Sequence, residues 1–190
     1  MFLTFITFLP LAGALFLVFM PKESVAAIKQ TALAVAVADF LLSLSLWTNF
    51  DNTTHKMQFE LNIPWIEPWG INFHIGLDGI SLLLYVMTTF LTMICVLASW
   101  DISKHVREYM IAMLVLSTGM LGVFISLDLF MFYVFWEFQL IPMYILIGVW
   151  GGPRRVYASI KFFLFTAVGS LLMLVAILWI YLHIQETTGV

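Results

Sequence analysis

Glu137 is the residue of this 190-residue sequence whose chemistry most needs a reason. It lies nine residues into an apolar stretch over 128–150, among Phe132, Tyr133, Phe135, Trp136 and Phe138. At 1.5 Å per helical residue that is roughly 13 Å, close to the middle of a hydrocarbon layer about 30 Å thick. An ionisable side chain at such a depth costs about 2.5–3.5 kcal/mol on insertion scales. Desolvation favours its neutral acid, whereas a nearby cation or a water chain favours the ion. A carboxyl balanced between these limits takes up and releases a proton, which is the chemistry a proton path requires. The plainer alternative is a protonated glutamic acid that only hydrogen-bonds to a neighbouring helix.

Three further residues are candidate supporting groups. Pro142 has no N–H, so the Phe138 carbonyl loses its i+4 partner and a kink is expected there. The freed carbonyl, one residue from Glu137, is a place for water or a polar side chain. Asp39 is a second acid at membrane depth, about 12 Å from Trp47 at the end of its own stretch. It reads either as a helix-pairing hydrogen-bonder or as part of a proton path. Lys161 lies roughly 8 Å into the last stretch, near enough to the interface to snorkel. Glu137 is roughly 20 Å from that same interface, so a direct pair is not expected and a water-bridged relation stays open. Asp78 and Asp128 stand at helix starts and read as caps for free N–H groups.

Other chemistries find no residues. The single cysteine, Cys95, excludes an internal disulfide and cannot by itself build an iron–sulfur cluster or a cysteine-rich zinc site. His55, His74, His105 and His183 have no metal-ligand spacing, and neither a GxGxxG nor a P-loop is present. No Ser/His/Asp or Cys/His set lies at compatible depths for hydrolysis. The net charge of −3, without a dense basic run, argues against nucleic acid as a partner. Neither a catalytic residue nor a cofactor-binding or metal site is expected in this chain.

The elements that position these residues follow from composition. With 63% hydrophobic and 10% charged residues, the chain is far more apolar than a soluble domain, and its solvent must be lipid. A spanning helix needs about 20 apolar residues, and six stretches qualify, at roughly 2–20, 25–47, 76–99, 109–127, 128–150 and 156–183. The first lacks a basic leader and a small-residue cleavage site, so it reads as a retained span. Seven of the eight Lys and Arg residues lie in or beside connections 1, 3 and 5; connections 2 and 4 hold only Lys56. The odd connections are therefore expected on the cytoplasmic (or matrix) side and the N-terminus on the other. Thr118, Gly122 and Ser126 recur at i+4 on span four, and Thr166 and Ser170 on span six, spacing that lets helix backbones approach closely.

The second connection carries its own pattern. Met57, Phe59, Leu61, Ile63 and Trp65 alternate with polar residues or Pro64, and after Glu67–Gly70 so do Ile71, Phe73, Ile75 and Leu77. Period two around a Pro/Gly turn predicts an amphipathic β-hairpin, with an irregular loop as the alternative. The expected organisation is an all-α integral membrane protein: helices 1–2 over 1–48, an extracytoplasmic hairpin over 49–75, helices 3–6 over 76–184, and loop over 185–190.

At FWEFQLIPMYILIGVWGG (135–152), followed by KFFLFTAVGSLLML (161–174), the sequence closely resembles chain M of the proton-pumping NADH–quinone oxidoreductases, respiratory complex I. GLDGISLLL (76–84) and the hairpin fit the same family, and the resemblance spans essentially the whole sequence. It implies that Glu137 corresponds to the family's fifth-helix glutamate, paired there with a seventh-helix lysine and coupled to quinone reduction elsewhere in the complex. It also implies about fourteen helices in two inverted repeats, each with a broken helix. Six spans stand here, so a partial antiporter-like fold from the N-terminal part of such a chain is expected.

The resulting reading is a membrane-arm subunit that takes part in proton translocation while NADH, FMN, iron–sulfur clusters and quinone belong to other subunits. It makes the chain a non-redox part of a translocase. Its expected partners are the antiporter-like chains L and N and membrane lipid; its expected place is the bacterial inner membrane, with the mitochondrial inner membrane as alternative. A subunit of an Mrp-type Na⁺/H⁺ antiporter and a passive structural bundle are the competing readings.

Overall fold

In a computed structural model, which describes residues 1–188 and side chains through 184, six long apolar helical segments traverse the molecule. Helices α1 (Phe2–Phe19), α2 (Val25–Thr48), α3 (Gly79–Ala98) and α4 (Val106–Ile125) form a bundle. Helices α5 (Leu129–Phe138) and α6 (Leu140–Trp150) together make the fifth segment, and α7 (Arg155–Thr188) the sixth. Strands β1 (Gln58–Ile66) and β2 (Ile71–Leu77) lie between α2 and α3 as one antiparallel pair.

The predicted connections segregate cleanly by end. At one end Lys22 meets Glu108 at 3.0 Å, Arg107 donates to the carbonyls of Val18 and Met20 at 3.1 Å each, Lys29 donates to the Trp100 carbonyl, and the Trp150 indole donates to the Lys104 carbonyl at 2.7 Å. Connections 1, 3 and 5 are thereby tied together. Arg107 supplies donors where the last carbonyls of α1 have no intrahelical partner. At the opposite end the Leu127 amide donates to the His74 carbonyl at 2.9 Å, and Ile75 bridges to Ser126, joining connections 2 and 4.

The hairpin forms, with a difference in how it is buried. Its turn is a short 3₁₀ segment over Glu67–Trp69, closed by Gly70 at φ 65°, a backbone conformation glycine adopts freely. Leu61 faces Ile75, and Ile63 faces Phe73. The β2 residues Ile71, Ile75 and Leu77 are buried against the helix ends, but Ile63 and Trp65 on β1 remain exposed. Strand β1 is the outer edge; Pro64 stands opposite Asn72 there, and an edge strand tolerates its missing N–H. It is also irregular between Gln58 and Leu61 and between Pro64 and Ile66, so its alternation loses register with the bundle.

Three boundaries depart from the sequence expectation. Gly76 and Leu77 finish β2, and Asp78 caps α3, so the third helix starts at Gly79 instead of 76. The fourth starts three residues early, at Val106. The last helix continues through Thr188, so 185–188 are helical and not loop; 189–190 lie outside the described residues.

Buried apolar side chains form two groups. One, near the hairpin end, includes Leu3, Leu46, Leu82 and Leu121; the other, near the basic end, includes Leu17, Ile28, Val96 and Met110. Helices α5 and α6 pack on α4 and α7, whose outer face is largely exposed.

Candidate functional site

Helix α5 begins at a double fastening. The Asp128 carboxylate accepts from the Phe130 and Met131 amides at 2.8 and 3.1 Å, and its other oxygen accepts from the Asn72 amide of β2 at 3.2 Å. An aspartate at this position satisfies donors that the first helical turn leaves free. The hairpin thus fixes where α5 enters the bundle. Asp78 caps α3 in the same way, accepting from the Ser81 amide at 2.7 Å.

Close approach of α5 to α4 depends on glycine. A Cβ added to Gly122 would overlap the Phe135 ring, and one added to Gly119 would stand 3.1 Å from the Gln139 Cβ. The predicted small-residue spacing on span four therefore serves helix packing, with Gly119 as a member that the i+4 pattern did not include.

Glu137 follows eight residues after Leu129, about 12 Å into the segment. Its Oε1 is buried and has no hydrogen-bond partner among the described residues. The Tyr133 hydroxyl, one turn earlier, lies within interaction reach of both the Glu137 carboxylate and the Ser170 hydroxyl of α7. Ser170 is itself buried and donates to the Ala167 carbonyl at 2.9 Å. Tyr133 and Ser170 were not singled out for this role by sequence reasoning, although the i, i+4 spacing of Tyr133 and Glu137 was a readable sign of their meeting.

The segment breaks immediately beyond the acid. Regular helix is interrupted at Gln139 and resumes at Leu140, with the Met143 amide donating to the Gln139 carbonyl at 3.3 Å. The expected kink is thus centred three residues before Pro142, because the proline strips the partner from a carbonyl one turn earlier in the chain. Pro142 itself is buried in α6.

Lys161 does not join Glu137. It is exposed on α7 with its Nζ 5.9 Å from the Tyr157 ring, and the ion pairs among the described residues are Lys22–Glu108, Arg107–Glu108 and His74–Glu60. Asp39 is fully buried on α2, which packs on α1, α3 and α4, so the two intramembrane acids occupy different parts of the bundle. Among the described residues no three His, Cys, Asp or Glu side chains gather to hold a metal ion, and Cys95 is exposed and unpaired.

A family model described as NADH:quinone oxidoreductase/Mrp antiporter, TM, matches residues 126–189, which contain Glu137. Over 97% of this chain, the sequence is 46% identical to NADH-quinone oxidoreductase subunit M of Rhodobacter capsulatus. The chain belongs to the NADH-quinone oxidoreductase subunit M family. It spans just over a third, 36%, of that curated relative. In the solved structure of respiratory complex I from Thermus thermophilus with bound NADH, one chain superposes with a TM-score of 0.78 at 30% identity, over 94% of this chain and 35% of that one. The Mrp complex from Dietzia sp. DQ12-45-1b has the same fold, with a TM-score of 0.80 over all of this chain and 20% of that one, at 18% identity. The helical membrane fold is shared with these relatives, and a small two-stranded sheet lies at one end of the helices.

Proposed function

We propose that this subunit M relative is a membrane-arm part of a proton-translocating NADH–quinone oxidoreductase, with Glu137 as its proton-bearing group. The observation that carries the reading is a half-enclosed carboxyl at mid-depth, one oxygen buried without a hydrogen-bond partner among the described residues, two residues from a helix break. Such a group is sensitive to electrostatics, because a charge that changes in a neighbouring subunit acts across a low dielectric. A cation arriving nearby draws the carboxyl to its ionised form and expels the proton; its departure reverses the change. Tyr133 and Ser170 supply hydroxyls that donate and accept, so they can pass a proton between α5 and α7. Moving one charge against the membrane potential requires about 2.3 kcal/mol per 100 mV, and that energy must come from electron transfer outside this chain. NADH, FMN, the iron–sulfur clusters and quinone belong to other subunits in this reading; the lone Cys95 fits none of the metal groups.

The antiporter-like chains L and N and membrane lipid are the expected neighbours. The bacterial inner membrane is the expected location, with the N-terminus extracytoplasmic; the collection of Lys and Arg residues at one end supports that orientation. The mitochondrial inner membrane is the alternative. An Mrp-type antiporter subunit is the second reading, favoured by the shared helical fold. Co-purification with flavin- and cluster-bearing subunits separates the two.

The test is Glu137→Gln in the full chain within the assembled complex, reconstituted in vesicles. Assembly is expected to be intact and most proton movement coupled to NADH oxidation lost. Normal pumping with normal assembly would reject the assignment, and would favour a passive bundle.

A further inference from the structure

The four-helix bundle of α1–α4 contains a polar layer that the Glu137 reading leaves unused. On each helix a buried polar residue stands between the two apolar groups of the core: Thr7 on α1, Asp39 and Ser43 on α2, Thr89 and Thr92 on α3, and Ser117 on α4. The layer is cross-linked by hydroxyls. Thr7 and Tyr85 meet at 3.0 Å, Ser43 and Thr89 at 2.8 Å, and Thr92 and Ser117 at 3.2 Å, each pair between two helices.

Asp39 is the one carboxyl in this layer. It is 1% exposed, and its Oδ1 has no hydrogen-bond partner among the described residues. Its depth, nine residues before the end of α2 and about 13 Å, matches that of Glu137 measured from the same end. From α3, the Tyr85 hydroxyl lies within electrostatic reach. Helix α1 brings Thr7 and no ionisable side chain, and the charged residues of α4, Arg107 and Glu108, belong to its first turn at the opposite end. No cation therefore faces Asp39 from any of the three helices packed on it.

A carboxylate buried in such a place has no counter-charge on the helices packed around it, whereas the neutral acid can donate to an adjacent hydroxyl. Holding helices together does not by itself call for a carboxyl: the hydroxyl pairs already link α1 to α3, α2 to α3 and α3 to α4. We propose that Asp39 is a second proton-binding site, carried as the neutral carboxylic acid and exchanging its proton through the Tyr85–Thr7 hydroxyl pair. In the exchange, the Asp39 O–H bond breaks as its proton passes to a hydroxyl oxygen, which releases its own proton onward; the carboxylate left behind takes up the next proton by the reverse route. This deepens the proton-translocation reading, and it puts a titrating group in helices that do not carry Glu137.

Infrared difference spectroscopy on the assembled complex tests it, because the carbonyl stretch of a protonated carboxylic acid reads the acid directly and needs no turnover. Comparison of the unsubstituted complex with Asp39→Asn is expected to show loss of one such band at neutral pH, and Tyr85→Phe is expected to shift that band. A spectrum without a difference at Asp39→Asn overturns the neutral acid. If Asp39→Asn does not assemble, Tyr85→Phe carries the test, and an unmoved carboxylic-acid band overturns the assignment. Proton movement per NADH oxidised is expected to fall in assembled Asp39→Asn; unchanged movement rejects a role in exchange. The Glu137→Gln complex should retain the Asp39 band, so failure of either assignment is read separately from the other.

Discussion

Asn72 of the hairpin donates its backbone N–H to the Asp128 carboxylate at 3.2 Å, while the other oxygen of that carboxylate caps the helix that carries Glu137. One side chain therefore ties an extramembrane strand to the depth of an intramembrane acid. Asp128→Ala should remove both fastenings and cost about 1–2 kcal/mol, read as a lowered thermal midpoint in detergent. Asp128→Asn keeps an oxygen for the helix amides and should retain most of the stability. Equal midpoints for all three proteins would show that the cap does not hold α5.

The contact of Gly122 with the Phe135 ring yields a second expectation. Gly122→Ala places a methyl group where the ring lies, and overpacking of this kind costs about 1–3 kcal/mol. Phe135→Leu in the same chain should recover part of the loss, giving a favourable coupling in a double-mutant cycle. Strict additivity of the two substitutions would remove close α4–α5 packing as the reason for glycine.

Asp78 supplies a pH dependence outside the spans. The Ser81 amide, donating to its carboxylate, holds the acid below its usual 3.8. The folded form thus binds its proton less readily than the unfolded form, so the cap stabilises fully above about pH 3.8 and loses its effect as the pH falls through the lower folded value. Asp78→Asn should flatten this part of the acid unfolding profile, measured by circular dichroism between neutral and strongly acidic pH. An unchanged profile would place the acid sensitivity elsewhere.

Much of the architecture could be read from local residues. Six apolar stretches, the hairpin alternation and the two aspartate caps each depend on nearest neighbours along the chain, and each reappears in the folded molecule. Errors fell where neighbours in space decide. Glycine at 76 looked like the start of a helix, but His74 and Ile75 are engaged with Leu127 and Ser126, and that pairing prolongs β2 to Leu77. The kink expected at the Phe138 carbonyl, by contrast, lies one residue from the interruption at Gln139, since the bond that Pro142 removes is also local.

Sequence by itself determined that the chain is built to lie in lipid, that six stretches are long enough to cross it, and that two carboxyls fall within those stretches, since hydrophobic length and charge placement are local properties. Only the tertiary structure decided what those carboxyls meet. Glu137 has Tyr133 within reach instead of Lys161, with Ser170 beyond that tyrosine, and Asp39 stands in a layer of hydroxyls whose cross-helix pairs are 25 to 78 residues apart in sequence. The rotation and depth of each helix, fixed by glycine contacts and by the fastenings at both ends, set which polar groups converge, and spacing along one helix does not contain that information.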